Sequence, residues 1–531
     1  MSGDVIDLGQ TTHEALVEQI FQCVGQREDQ RVSIGDLRAA LSACGLDPRD
    51  RRIRETMRTL QGMSDDTRLD VQGLAHVIAP ENATLIARGL SGDFIIPNFS
   101  GFRHRLTGIF EEVKDNRGGA VASYIPQLAR VEPDLFALAA CTVDGQQFAI
   151  GDDDETFCVQ STCKPINYSI ALNELGREAV HRHVGREPSG RGFNELTLNQ
   201  MGLPHNPMIN AGAIACVSLI RRAESNADRF DHVMQVWRSL CGGRKAGFDN
   251  AVFLSERETA DRNFALAFMM REKGAFPPDT DILRTLDFYF QTCSITVDVR
   301  QMAVLAGTLA NGGVCPVTSE HVLNSDTVKD VLSLMYSCGM YDFSGEYAFS
   351  VGIPAKSGVS GALFMVVPGV CGIALYSPRL DALGNSVRGV AFSKRLVETY
   401  AFHTYANMID DHSLIDPRKP LVERAADDAA YLCSAAARGD LGELRRLVAS
   451  GVDPSTADYD GRTALHLAAS EGQMAAVKYL LSICSETEPR DRWGHSPLDD
   501  ARREGHPQIA ALLERRYERG PKPAGTVQHG G

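Results

Sequence analysis

Across residues 12–118 the apolar positions recur at helical spacing. Ala15, Leu16, Ile20 and Phe21 predict one buried face, and Leu37, Leu41 and Leu46 continue it into the next helices. From about residue 119 to 407 the pattern becomes mixed. Leu135 to Val143 and Gln146 to Ile150 flank Asp144-Gly145, a pair suited to left-handed backbone, and predict a β-hairpin. A helix is predicted from Ser161 to Leu175 with Gly176 as its stop, and helical segments fill much of 208–310. Strand patterns return from Ala348 to Tyr376. Within them Ala362 to Tyr376 is the longest apolar stretch, and Pro368-Gly369 splits it into two buried strands around a tight turn. A final amphipathic helix is expected over 388–402. Strands at both ends with helices between them predict an α+β sandwich whose first and last strands pair.

Beyond this region the pattern repeats. Gly439, Gly472 and Gly505 are evenly spaced at 33 residues, as are Thr463 and Ser496. Thr463-Ala464-Leu465-His466-Leu467-Ala468-Ala469 and Ser496-Pro497-Leu498 carry the ankyrin signature, and a stack of three repeats is near the minimum for stability. At the other end, Val32 to Leu37 and Leu69 to Leu74 have the form of EF-hand loop exits. No loop supplies the ligand positions, so a degenerate EF-hand-like bundle without calcium is expected. The expected organisation is a disordered 1–11, a helical module over 12–118, a core over 119–407, a linker over 408–422, ankyrin repeats over 423–517 and a disordered tail over 518–531.

Composition narrows the function. The 531 residues carry a net charge of −14, which argues against nucleic acid as a partner. No run of about 18 apolar residues occurs, so no membrane-spanning helix is expected. Thirteen scattered cysteines without a C-x-x-C point to a reduced interior and no metal site. Met1 to Gln10 has Asp4 and Asp7 and no basic residue, unlike a secretory or transit peptide. A cytoplasmic location is expected, with a mitochondrial one left open.

Lysine is scarce: the chain has ten, and every motif lysine is therefore informative. Lys164 alone has Ser three residues earlier, in Ser161-Thr162-Cys163-Lys164, and Lys356 alone is followed by Ser357-Gly358. S-x-x-K, a long helical insertion, then K-S-G is the layout of the serine β-lactamase and penicillin-binding group. At a helix start, Ser161 would meet unpaired N–H groups, and Lys164 one turn along would reach its hydroxyl as a base. Gly358 would let backbone approach a substrate, with the Val359 amide as an oxyanion donor. Taken alone, Ser161 could be a helix cap and Lys164 a solvated side chain; two unique motifs in this order favour catalysis.

Longer strings resemble the glutaminase family: Gly118-Gly119 through Tyr124-Ile125-Pro126-Gln127-Leu128, and His205-Asn206-Pro207-Met208-Ile209-Asn210-Ala211-Gly212-Ala213. Ser255-Glu256-Arg257-Glu258 with Asp261-Arg262-Asn263-Phe264, Leu286 to Phe290, Cys338 to Gly345, and Pro354 to Val359 extend it. The likeness runs over 15–517 and includes the layout of animal kidney- and liver-type glutaminases. It implies a serine β-lactamase/penicillin-binding-protein-like core that needs no cofactor and hydrolyses L-glutamine through a Ser161 acyl-enzyme. Lys164 would activate Ser161, Tyr341 and Tyr124 would pass protons, and Ser161 and Val359 would supply the oxyanion amides. Asn210, Glu256, Asn263, Tyr289, Tyr341 and Val359 would bind substrate together with Ser161. A homo-oligomer, dimer or tetramer, is implied, with a protein partner on the ankyrin repeats.

One segment departs from the family. Arg191 to Thr197 matches the gating loop of the animal enzymes, where basic residues are expected at 192 and 195 and an aromatic at 197. Gly192, Glu195 and Thr197 stand there instead, which puts phosphate activation and loop-driven assembly in question; Glu195 would repel phosphate. Two other readings compete: a β-lactam or peptide hydrolase on the same fold, which would require export, and a non-enzymatic ankyrin scaffold, which the presence of Lys164 and Tyr341 disfavours.

Overall fold

The computed structural model describes residues 12–24, 31–190, 196–408, 414–419, 421–449, 452–484 and 488–518. The disordered ends expected for 1–11 and 518–531, save Glu518, which ends a helix, part of the linker, and Gly192 and Glu195 lie outside them. Two compact units are present, Met1–Met408 and Ile409–Gly531.

The first unit opens with the helices His13–Val24, Ile34–Ala43, Arg54–Gln61, Val71–Val77 and Pro80–Leu90 around a shared apolar core. The first helix buries Val17, Ile20 and Phe21, spaced i, i+3, i+4. Ile20 and Phe21 are on the expected face, whereas Leu16 is half-buried and Ala15 is exposed. Two short strands, β1 (Val32–Ser33) and β2 (Arg68–Leu69), pair antiparallel with Val32 opposite Leu69. Each runs straight into a capped helix. Ser33 Oγ accepts from the Asp36 amide at 3.0 Å and Asp70 Oδ1 from the Gly73 amide at 2.8 Å. The two EF-hand-like loop exits are therefore each other's partners. Among the described residues no group of three or more His, Cys, Asp or Glu could hold a metal ion.

The core contributes β3 (Ala137–Thr142), β4 (Gln147–Gly151), β5 (Thr156–Cys158), β6 (Gly247–Phe248), β7 (Ile295–Asp298), β8 (Ala355–Ser357), β9 (Ala362–Val367) and β10 (Cys371–Tyr376). Five form an antiparallel sheet in the order β4-β3-β10-β9-β8, so the first and last long strands pair, Leu138 opposite Leu375. Every residue of β3, β9 and β10 is buried because helices cover both faces. On one face the Val299–Ala310 helix packs so closely that a Cβ at Gly372 would lie 2.2 Å from the Gly307 nitrogen. On the other, Phe110 of the Phe99–Lys114 helix stacks on Phe136 at 4.1 Å, and Ser393 of the Val387–Thr399 helix bonds to Met365 Sδ. Each Leu, Ile or Phe fully buried this way contributes roughly 1.5–3 kcal/mol.

Among the strands of the core, two features differ from the sequence expectation. Strand structure begins at Ala355 rather than Ala348: a helix occupies Ser344–Ser350, and Gly352, at φ +63°, resets the backbone direction before Pro354. A second sheet, β5-β7-β6, is built from strands of two to four residues, too short to leave an alternating pattern. It anchors the segment ahead of Ser161, since the Val159 amide donates to the Ile295 carbonyl at 2.8 Å.

The helical module grips the β3–β4 turn. Arg52 donates to the Asp144 carbonyl at 2.7 Å and the Gly145 carbonyl at 2.5 Å, and pairs with buried Asp50 at 2.7 Å. Gln146 donates to the Cys44 and Ile96 carbonyls at 3.0 and 3.1 Å. Turn carbonyls that would otherwise be buried unpaired find their donors here.

The second unit stacks helices from Leu421–Arg438 to Pro507–Glu518. Gly439, Gly472 and Gly505 end helices at φ +70°, +72° and +79°, a conformation costly for other residues and the physical basis of the 33-residue glycine period. At the repeat starts the Thr463 amide donates to His466 Nδ1 at 3.1 Å and the Ser496 amide to Asp499 Oδ2 at 2.8 Å.

Candidate active site

Ser161 lies in a single 3₁₀ turn, Gln160–Cys163, that leads into the Lys164–Leu175 helix. The expected helix therefore begins three residues later, and Ser161 is not its cap. Gln160 ahead of it adopts φ +46°, rare for a residue with a side chain and a local cost of about 1–3 kcal/mol. The β5–β7 pairing and a bond from Thr162 Oγ1 to the Val159 carbonyl at 2.6 Å hold the turn in place. Pro165 falls in the first helical turn, where its missing N–H costs little.

Lys164 reaches back, donating to Ser161 Oγ at 2.8 Å and to Asn210 Oδ1 at 2.7 Å. Its side chain is fully buried, and burial lowers its pKa; negative charge at Cys293, Cys163 and Glu256 acts in the opposite sense. Asn210 starts the Asn210–Leu219 helix. A Cβ at Gly212 would lie 1.9 Å from the Asn206 carbonyl oxygen, so only glycine lets the preceding turn fold against this helix. Asn210 Nδ2 donates to Asn263 Oδ1 at 3.1 Å, and the Tyr289 hydroxyl donates to Asn210 Oδ1 at 3.4 Å.

Tyr341 also adopts positive φ, +53°, in the turn that follows Gly339. Burial raises its phenol pKa, and a hydrogen bond with Ser161 opposes that rise. Lys356 Nζ stands 4.5 Å from the Tyr341 ring centre and donates to the Gly339 and Ser357 carbonyls at 3.0 and 2.6 Å. It is fully buried, and burial together with the charge of Lys164 pushes its pKa well down. Gly358 brings the following loop against the Ser161 turn, where an added Cβ would be 3.0 Å from the Val159 carbonyl oxygen. The Val359 amide donates to no atom among the described residues.

A cavity of about 350 Å³ opens over Ser161 and is lined by Tyr124, Asn210, Glu256, Asn263, Tyr289 and Val359 among others. Lys164 touches Ser161 directly, and Tyr341 lines a neighbouring cavity of about 490 Å³. Every predicted site residue is thus on or beside one hydroxyl, although they come from segments scattered between residues 124 and 359. The two tyrosines are not equivalent. Tyr124 is 57 % exposed and has no hydrogen bond to Ser161 or Lys164 among the described residues. Glu256, in the Asn250–Glu258 helix, accepts from Gln160 Nε2 at 3.2 Å. Burial pushes its carboxyl up to about 7, with Gln160 and Lys164 opposing.

Sequence reasoning missed Gln160 and Cys293, both of which line the cavity. Gln160 could have been found from its place beside Ser161; Cys293 carries no motif. Thr197 lies in irregular backbone, half-buried.

The glutaminase family model matches residues 119–405, an EF-hand domain model 16–97, and a model of ankyrin repeats in many copies 432–481. The chain is 44% identical to putative glutaminase 2 of Caenorhabditis elegans, over 96% of this chain and 86% of that protein. It is 44% identical to the mitochondrial liver isoform of glutaminase from Rattus norvegicus, over 94% of this chain and 83% of the relative. Among solved structures, a probable glutaminase from Bacillus subtilis complexed with 6-diazo-5-oxo-L-norleucine superposes with a TM-score of 0.52 at 32% identity, covering 57% of this chain and 96% of that one. With an α+β serine β-lactamase-like core between an EF-hand-like module and ankyrin repeats, the chain belongs to the glutaminase family.

Proposed function

We propose that this protein hydrolyses the side-chain amide of L-glutamine to L-glutamate and ammonia through an acyl-enzyme on Ser161. The observation that carries the reading is the buried Lys164 amine 2.8 Å from Ser161 Oγ, at the wall of a cavity that also holds the Glu256 carboxyl. Burial favours a neutral Lys164, which can take the Ser161 proton as the hydroxyl attacks the amide carbon. The tetrahedral oxyanion then faces the Ser161 and Val359 amides. Tyr341, bonded to Ser161, passes the proton to the leaving nitrogen, and ammonia departs. Water repeats the sequence on the ester and releases glutamate. Glu256 takes the α-ammonium of the substrate, and Asn210, Asn263 and Tyr289 orient its polar groups.

The test uses the full chain. Ammonia release is expected from L-glutamine and not from L-asparagine, and 6-diazo-5-oxo-L-norleucine should label Ser161 in a peptide map. No glutamine-dependent ammonia would end this reading.

A pH dependence follows. Glu256 ionises near 7 in the free protein, and only the carboxylate attracts an ammonium. As pH falls below 7, kcat/KM should drop about tenfold per unit. A protonated Lys164 acts in the same direction, so the two are separated by Glu256→Gln. That variant should raise KM far more than it lowers kcat and should lose the limb near 7. A wild-type KM in Glu256→Gln would exclude the assigned role.

The wider reading is a homo-oligomer, dimer or tetramer, in the cytoplasm or mitochondrion, with a protein bound to the ankyrin repeats. The layout shared with animal glutaminases supports it, as do exposed Tyr459 and Trp493 on the repeats. Among the described residues no helix is long and apolar enough to cross a membrane.

A further inference from the structure

Cys163 and Cys293 place their sulfurs 3.9 Å apart beside the reacting hydroxyl. They form the only thiol pair in hydrogen-bond contact among the described residues, and neither belongs to the chemistry above. Cys163 sits in the turn between Ser161 and Lys164, while Cys293 ends the Ile282–Cys293 helix and lines the substrate cavity. We propose that this pair is an oxidation site: a hydroperoxide entering the cavity converts it to a Cys163–Cys293 disulfide, which turns the enzyme off until a thiol reductant reverses it. The activity half of the proposal rests on the function assigned above; the disulfide itself does not.

The surroundings favour loss of one proton from the pair. Burial opposes ionisation at Cys163, but the hydrogen bond from Cys293 and, while it carries its proton, the nearby Lys164 outweigh it and hold that thiol below its ordinary range. Asn167 Nδ2 also donates to Cys163 Sγ, at 3.6 Å. In the first step Cys163 takes the Cys293 proton across their contact, and the cavity-facing Cys293 sulfur attacks one peroxide oxygen: an S–O bond forms, the O–O bond breaks, and the departing oxygen takes up the proton the pair had lost and leaves as alcohol or water. In the second, the Cys163 sulfur attacks the sulfenic acid, so that S–S forms, S–O breaks, and the thiol proton leaves with hydroxide as water. The two sulfurs lose two electrons and the peroxide gains them.

Switching follows from position. A disulfide spans ~2.05 Å, so the sulfurs must approach by nearly half their present separation. The motion pulls on the one turn that aligns Ser161 with Lys164. A misplacement of about 1 Å between reacting groups costs on the order of 10²-fold in rate.

The experiment treats the reduced full-length protein with hydrogen peroxide, alkylates free thiols and maps peptides while ammonia release is followed. The expected result is a Cys163–Cys293-linked peptide whose yield tracks a roughly 10²-fold loss of rate, with both reversed by dithiothreitol. Cys163→Ala and Cys293→Ser, each compared with its own untreated rate, should keep that rate within twofold under peroxide. Inhibition without the linked peptide, a linked peptide with unchanged rate, or variants as sensitive as the parent would overturn the proposal. If the untreated protein releases no ammonia, the function assignment fails, and the linked peptide alone decides whether the pair oxidises.

Discussion

Substituting Lys164 by methionine is expected to lower glutamine hydrolysis by at least ~10³-fold, and Ser161→Ala by ~10⁴-fold or more. A serine hydroxyl is a poor nucleophile without a base in contact, and Lys164 Nζ at 2.8 Å is the basic group that touches it. Methionine fills the buried volume of the lysine stem, so the loss is chemical rather than a cavity effect. Arginine should not rescue, because a guanidinium stays protonated. The double variant should be little worse than Ser161→Ala, since groups acting as one unit are not additive. Ammonia release measures the rate, and 6-diazo-5-oxo-L-norleucine labelling reports the nucleophile separately: Lys164→Met should slow labelling, and Ser161→Ala should abolish it. Lys164→Met within tenfold of the parent would remove Lys164 as the base. The partner left behind is not stranded, since Asn210 Oδ1 still accepts from Tyr289.

The same residues show what the sequence could and could not disclose. Lys164 and Lys356 were legible because both lie in short motifs and lysine is scarce. The pairing of β3 with β10 was legible because strands at both ends of the core had few other partners. What made the site, however, was longer in range. Gln160 and Tyr341 carry left-handed backbone that no propensity predicts, since tertiary contacts impose it. Tyr124 and Tyr341 both lie in family strings, yet only Tyr341 bonds to Ser161, because the Gly339 turn delivers it there. Cys163 and Cys293 are 130 positions apart and meet only through the packing of two helix ends. The first helix shows the remaining weakness: Ile20 and Phe21 are buried as the spacing predicts, but Val17 rather than Ala15 completes their face.

Gly339→Ala is the second large effect, and its cause is steric. Gly339 has φ −78°, which alanine adopts freely, so backbone strain is not at issue. A Cβ there would lie 1.8 Å from the Ala355 carbonyl oxygen and 2.4 Å from that of Met335. Both are backbone atoms in ordered elements, β8 and the Ser325–Cys338 helix, and neither can rotate away. The carbonyl of Gly339 also accepts from Lys356 Nζ at 3.0 Å and from the Ser357 amide at 3.2 Å. Relief of the clash must therefore separate the helix end from β8, which carries Tyr341 one way and Lys356 the other. Overpacking of this kind costs about 1–3 kcal/mol or more, visible as a lower midpoint in thermal unfolding. The rate should fall on the order of 10²-fold through kcat, because Tyr341 moves relative to Ser161. KM should change little, since Glu256, Asn263 and Tyr289 stand on other helices. Gly345→Ala is the matched control: no atom lies within 4 Å of its Cβ, and both stability and rate should stay close to the parent. A Gly339→Ala protein with an unchanged midpoint and kcat would mean that the helix end and β8 can part without disturbing the site, and that Tyr341 is positioned from elsewhere.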